Sequence, residues 1–332
     1  MQHFSIPACY FPSTALFIDD SRDFLLNFVL QLDEGLAYRL FDSPFDALDF
    51  LHKKHQEIHT LTQRCLMEYT ESLSLPDSTT NAGLAAIQKE IYNRRRFAEI
   101  SVVVVDYAMP GMDGIEFCRR LAGTNIKKIL LTGKADEKLA IEAFNEGLIQ
   151  RFIQKSDINA ADLITNSIND LQWQYFQNMT DTMMQMMALQ MPVCLNDPQF
   201  SSFFKQFCQE KRIVEHYLAN EAGSFLLFDD DAKPSTLIVM REAERHADYE
   251  LARSLGDSSE VLEHIASGEK ILGALSNEKN LSLLIPAQQL QGNNAYSYAH
   301  IAGSTLNNLR EESVFSYHSY LDEIDAEELL LI

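Results

Sequence analysis

Four consecutive valines, Val102 to Val105, run straight into Asp106 and then into the turn Tyr107-Ala108-Met109-Pro110-Gly111-Met112-Asp113-Gly114. An unbroken branched apolar run predicts a parallel strand covered on both faces, and groups at the carboxyl ends of such strands line the ligand crevice. The pattern recurs. Ala15-Leu16-Phe17-Ile18 ends in Asp19-Asp20, Lys128-Ile129-Leu130-Leu131 ends in Thr132-Gly133, and Arg151-Phe152-Ile153 leads to Lys155. Helical stretches at 21–32, from Phe45 onward, at 115–121 and at 136–146 separate these runs. Alternation of this kind predicts a doubly wound α/β sheet with right-handed crossovers.

The strand tips carry the chemistry. Asp19, Asp20 and Asp106 converge there, and three carboxylates a few ångströms apart in a partly dry cleft repel strongly unless a hard divalent cation sits among them. Magnesium, with oxygen ligands and retained waters, is the natural occupant. Thr132 and Lys155 add a hydroxyl and an ammonium.

With an acidic pair, an aspartate, a threonine and a lysine at successive strand ends, residues 14–170 resemble the receiver domain of two-component response regulators. The resemblance implies a flavodoxin-like, five-stranded parallel sheet. It implies magnesium held by Asp20, Asp106 and the backbone carbonyl of Ala108, with Asp19 supporting the metal's waters. Asp106 would accept a phosphoryl group from a sensor histidine kinase, and Thr132 and Lys155 would contact the phosphoryl oxygens. Such transfer asks the protein mainly for alignment and charge neutralisation. Phe152 falls at the family's aromatic switch position, although a phenylalanine in a short apolar strand also reads as core. Ser156 stands where the family usually has a proline, often after a cis bond, and a cis bond before a non-proline residue costs about 3 kcal/mol.

Residues 52–98 form an insertion between the second helix and the valine strand, where receivers need only a short connection. It reads as helix over 61–73, a turn around Pro76 and a helix from 82 to 97. Insertions of this size tend to be functional or docking features. His52, His55 and His59 fall on one helical face, which would suit a metal or phosphate relay but also a solvated face. Arg94-Arg95-Arg96 is the one strongly basic run, a wet surface or a docking patch.

Residues 158–191 contain no glycine or proline and predict one long helix. Ile164, Ile168, Leu171, Tyr175, Met179, Met183 and Met186 step along it by threes and fours, a stripe able to pair two copies into a homodimer or to pack on the chain's own second half. From 192 to 332 the pattern predicts a small α+β output domain. It comprises a helix over 200–217 and a hairpin of 224–228 and 236–240 around Asp229-Asp230-Asp231. Helices near 241–254 and 257–272, strands at 281–286 and 296–299, and a tyrosine-rich segment at 314–321 follow. The three aspartates lack an EF-hand's glycine and ligand spacing and read as a solvated turn.

Composition narrows the function classes. The chain has 332 residues and a net charge of −21; residues 1–170 carry −7 and residues 171–332 carry −14. An output half so acidic argues against direct nucleic-acid binding, because duplex affinity comes largely from neutralised phosphates. No stretch is apolar for the length of a membrane span, and the start lacks the pattern of an export signal. Cysteines 9, 65, 118, 194 and 208 show no paired spacing and fit reduced thiols of a cytoplasmic protein. The output half shows no catalytic nucleophile, cyclase or phosphodiesterase signature, or glycine-rich phosphate loop, so an enzyme is not expected. The phrase HYLANEAGSFLLFDDDAKPSTLIVM, the insertion and the length are similar to α-hydroxyketone quorum-sensing response regulators. The expected function is therefore phosphoryl acceptance that switches dimerisation or partner binding. A DNA-binding transcription factor and a nucleotide-processing output enzyme are the rival classes.

Overall fold

The computed structural model describes residues 5–57, 59–74, 82–133, 136–187, 189–272, 284–290, 296–303 and 314–326. In chain order the elements begin with β1 (Cys9–Tyr10), β2 (Thr14–Ile18), α1 (Arg22–Val29), β3 (Tyr38–Phe41), α2 (Pro44–Glu57), α3 (Leu61–Leu73) and α4 (Ala82–Lys89). They continue with β4 (Ile100–Asp106), α5 (Gly114–Arg120), β5 (Lys127–Thr132), α6 (Glu137–Asn145), β6 (Arg151–Gln154) and α7 (Ala160–Met186). Then come α8 (Pro198–Lys211), β7 (Ile213–Leu218), β8 (Phe225–Asp229), β9 (Pro234–Arg241), α9 (Glu242–Leu255) and α10 (Ser259–Ser267). Last are β10 (Lys270–Leu272), β11 (Leu284–Pro286), β12 (Gln288–Gln289), β13 (Tyr296–Ala302) and α11 (Tyr317–Ala326).

Five parallel strands form one sheet in the order β3-β2-β4-β5-β6; the repeating pattern predicts four of them, and the resemblance implies the fifth. The valine run is continuous because both faces are covered. Val103 and Val105 pack with Leu48, Phe117 and Ala140 on one side, and Val102 and Val104 pack with Leu25, Ile164 and Ile168 on the other. β3 completes the sheet at its edge; its sequence, Tyr-Arg-Leu-Phe, is short and half polar and carries little strand signal of its own.

A second sheet is antiparallel, in the order β1-β7-β8-β9-β13-β12, with β10 and β11 pairing separately. The predicted hairpin is β8 and β9, and Asp229 and Asp231 spend their carboxylates on its turn, with Asp229 accepting two backbone amides and Asp231 pairing Lys233. β1 comes from the start of the chain and joins β7 by pairing Cys9 with Tyr217. At the other end of the sequence, Tyr317 donates to the Gly35 carbonyl (2.7 Å) and the Tyr320 hydroxyl meets Thr14 Oγ1 (2.7 Å).

Several expectations are corrected. The helix foreseen over 200–217 stops at Lys211, where Arg212 turns left-handed (φ 54°), and Ile213 to Leu218 become β7 because β-branched and aromatic side chains there pair between β1 and β8. The helix foreseen over 82–97 ends at Lys89 and breaks into two 3-10 turns, 90–92 and 96–98. The helix expected to reach 272 stops before Gly268 (φ +75°), and residues 270–272 form β10. The turn at Pro76 lies outside the described residues, as does part of the strand foreseen at 281–286. Helix α3, capped by Thr60 and Gln63, has the predicted limits.

The long helix does not keep its stripe free. Ile164, Ile168 and Leu171 pack on the parallel sheet, whereas Tyr175, Met179 and Met183 enter the core that joins the insertion to the antiparallel sheet. Of the stripe, Met186 alone is exposed, at 56%. Pairing of two copies through these side chains would require unpacking both cores, so the stripe is internal.

The basic run is likewise not one surface. Arg96 is fully buried and grips Glu215 through two bonds of 2.7 and 2.8 Å, with a third to the Phe315 carbonyl, while Tyr217 donates to the same carboxylate (2.8 Å). Arg94 stays outside, over the Phe315 ring and 3.2 Å from Glu323. The histidines do not share one helix either, because α2 ends at Glu57 and His59 lies beyond it; the side chain of His55 is outside the described residues. All five cysteines are unpaired. Among the described residues, no helix is long and apolar enough to cross a membrane.

Candidate functional site

The carboxyl ends of β2, β4, β5 and β6 bring Asp19, Asp106, Thr132 and Lys155 to one edge. Parallel registry places Ile18 beside Val105 and Asp106 beside Leu131, so neighbouring strands end level. Asp19, Asp20 and Asp106 each offer a carboxylate oxygen within 4.8 Å of the others. Asp19 and Asp106 are buried, Asp20 is exposed, and Lys155 reaches Asp19 Oδ2 (2.5 Å) and Asp106 Oδ1 (2.8 Å). Phe24 backs the ammonium, its ring centre 4.6 Å away.

Local sequence explains why these groups hold still. Ser21 caps α1 by accepting from the Phe24 amide, and its own amide donates to Asp19 Oδ1 at 3.0 Å, so a helix start anchors the first carboxylate. Asp113 caps α5 in the same way. Gly114 opens that helix against the back of the site: a Cβ there would lie 2.3 Å from the Asp106 carbonyl oxygen and 2.8 Å from Leu130 Cδ1. Motif reasoning about side chains overlooked Gly114 and Ser21. Their signals are present, however, a serine directly after the acidic pair and a glycine directly after a capping aspartate.

Electrostatics leave the cluster short of positive charge. Two like charges at this spacing repel by roughly 3–4 kcal/mol at an effective dielectric near 20, and one ammonium faces three carboxyl groups. Burial raises the Asp19 pKa, and contact with Lys155 offsets only part of that rise. For Lys155, burial alone would depress the pKa, but Asp106 and Asp19 outweigh it and hold the pKa above the ordinary lysine value. Of four buried side-chain polar atoms without an aligned hydrogen bond among the described residues, two lie at this site: Asp19 Oδ2, met only by the ion pair, and Thr132 Oγ1. Orphans like these are rare in a satisfied interior. Hard oxygen donors with spare lone pairs and excess negative charge suit a small divalent cation.

Ala108, whose carbonyl was the expected third ligand, sits exposed in the loop after β4. Phe152 is half-buried at the sheet edge, with its ring 6.3 Å from Phe144. No described peptide bond is cis, so Lys155–Ser156 is trans, as the absence of proline requires.

Residues 62–166 match the family described as response regulator receiver domain. The solved structure of the Legionella pneumophila response regulator LqsR is 54% identical, covers 100% of both chains and superimposes with a TM-score of 0.87. This chain belongs to the response regulators. A receiver domain from Clostridium thermocellum is 21% identical over 48% of this regulator and 94% of its own length, with a TM-score of 0.31. A signal receiver domain from Pseudomonas fluorescens Pf-5 is 18% identical over 50% and 91%, with a TM-score of 0.34. None of the curated proteins matches. The family match begins inside α3, downstream of Asp19 and Asp20, and the insertion separates the acidic pair from Asp106 in sequence. Pairing of β2 with β4 restores their proximity in the regulator.

Proposed function

We propose that Asp106 is the phosphoryl acceptor of this regulator and that a sensor histidine kinase is the donor. A carboxylate oxygen of Asp106 attacks the phosphorus, the bond from phosphorus to the kinase histidine nitrogen breaks, and an acyl phosphate remains on the chain. Lys155, already 2.8 Å from Asp106, stays beside the phosphoryl oxygens and neutralises them. Thr132, whose hydroxyl has no hydrogen-bond partner among the described residues, can donate to one of those oxygens. Magnesium held by Asp20, Asp106 and the Ala108 carbonyl, with Asp19 positioning its waters, would supply further positive charge against the transferring group. The single observation that carries this reading is the convergence of three carboxylates and Lys155 at the strand tips.

Residues 14–170 form the receiver unit in this proposal, with 52–98 inserted. Residues 158–191 join it to an output region over 192–332 that changes partner binding or dimerisation. Phe152 and Thr132 would carry the change outward, from a cytoplasmic quorum-sensing relay. The support is the full-length likeness to LqsR and the shared core between insertion, α7 and the antiparallel sheet. Incubation with magnesium and acetyl phosphate, followed by intact mass, tests the acceptor. One acid-stable, alkali-labile phosphoryl group is expected on the wild type and none on Asp106→Asn; an unchanged yield on the variant removes the assignment.

A further inference from the structure

At the amino-terminal edge of the parallel sheet, the end opposite Asp106, the inserted helix α3 leans on α7 and borders a half-open cavity of about 350 Å3. Its apolar wall is Leu51, Ile100, Leu121 and Met179, all buried. Its charged lining is lopsided. Lys54 and Arg120 face it, His52 and His59 stand exposed at the rim, and among the described residues the one anion lining it is Glu99. Glu99 is already satisfied, accepting from the Tyr175 hydroxyl (2.6 Å) and Arg64 Nη1 (3.1 Å). Arg120 has an exposed contact with Glu116 at 3.2 Å. Lys54 makes a hydrogen bond to the Ala98 carbonyl and, among the described residues, has no carboxylate at ion-pair distance.

We propose that this cavity binds a small amphipathic anion, with a carboxylate or phosphate head beside Lys54 and Arg120 and an apolar tail along Leu51, Ile100, Leu121 and Met179. An ammonium in a half-dry site, with donors to spare and its nearest counter-charge, Glu99, already held by Tyr175 and Arg64, can take a further anion. Burial pushes the Lys54 pKa down to about 8, which agrees with that geometry. Benzene fills an apolar cavity of about 150 Å3, so roughly twice that space takes a chain of about eight to ten carbons. Such a ligand would wedge beside the contact between Thr62 Oγ1 and Met179 Sδ (3.1 Å), giving the regulator a second input that does not depend on Asp106.

Calorimetric titration of the full chain with octanoate, octyl phosphate and 1-octanol tests the site. At least one anion should bind saturably, at least tenfold more tightly than the alcohol, and the preferred anion identifies the head group. Lys54→Met should weaken that anion at least tenfold and Arg120→Gln at least threefold. The Lys54→Met fold is checked by its melting curve, expected no lower than wild type because a poorly solvated charge is removed, and Arg120→Gln decides independently at an exposed position. Failure of both anions to saturate, equal affinity for the alcohol, or unchanged affinity in both variants would overturn the proposal.

Discussion

Arg94 and Arg96 stand two residues apart in one basic run, yet their replacement by methionine should differ severalfold in cost. Arg96 is enclosed, giving Glu215 two charge-assisted bonds, Phe315 a third and the Asn93 carbonyl a fourth at 3.2 Å. In Arg96→Met the Glu215 carboxylate keeps, among the described residues, only the Tyr217 hydroxyl as a partner in the same dry seam. Leaving one member of a buried pair uncompensated costs about 3–5 kcal/mol. Arg94 is exposed, and its pair with Glu323 and its stacking on Phe315 together are worth about 1 kcal/mol. Urea unfolding resolves this difference. Trp173, the chain's single tryptophan, packs on Tyr10 (5.3 Å) and His216 (5.7 Å), so its emission reports on the neighbouring core. The double replacement Arg96→Met with Glu215→Leu should recover at least about 1.5 kcal/mol of the single loss, since no lone charge remains. Equal costs for Arg94→Met and Arg96→Met, or no recovery in the double variant, would refute the claim that charge isolation at the seam sets the penalty.

Acid sensitivity should trace in part to His216, which is fully enclosed and donates to the Pro7 carbonyl at 3.1 Å. Burial lowers its pKa from 6.5 to about 3, so the unfolded chain takes up this proton first. Its contribution is whole above pH 6.5 and declines by about 1.4 kcal/mol per pH unit as pH falls toward 3; unfolding of His216→Gln, measured beside wild type, should show a shallower slope. Gly114→Ala should cost about 1–3 kcal/mol and weaken magnesium binding, read by fluorescence or calorimetry, because the new methyl displaces the Asp106 backbone; unchanged affinity would show that the loop yields freely. Thr132→Ala should leave stability within about 1 kcal/mol, since its hydroxyl makes no hydrogen bond among the described residues, while slowing phosphorylation by acetyl phosphate; the reverse pattern would make Thr132 a structural residue.

The amino-acid sequence by itself determined four strands of the parallel sheet and the groups that gather at its edge. A strand buried on both faces must be apolar throughout, so the residue at which Val102–Val105 gives way to Asp106 marks the strand tip without any knowledge of the neighbours. Helix α3 was equally legible, because Thr60 and Gln63 close its amino terminus locally. Tertiary structure alone decided the remainder. The α7 stripe could have met a second copy, the sheet or water, and the surface that covers it is set by residues far away in sequence. Ile213 to Leu218 carries a helix-compatible pattern and becomes a strand only because β1 and β8 are there to take its backbone hydrogen bonds. Arg96 belongs to a run that reads as solvated until Glu215, 119 positions downstream, meets it in the interior. Local patterns state which groups prefer burial; which surface buries them depends on the whole packed chain, because burial energies are settled by partners rather than by neighbours in sequence.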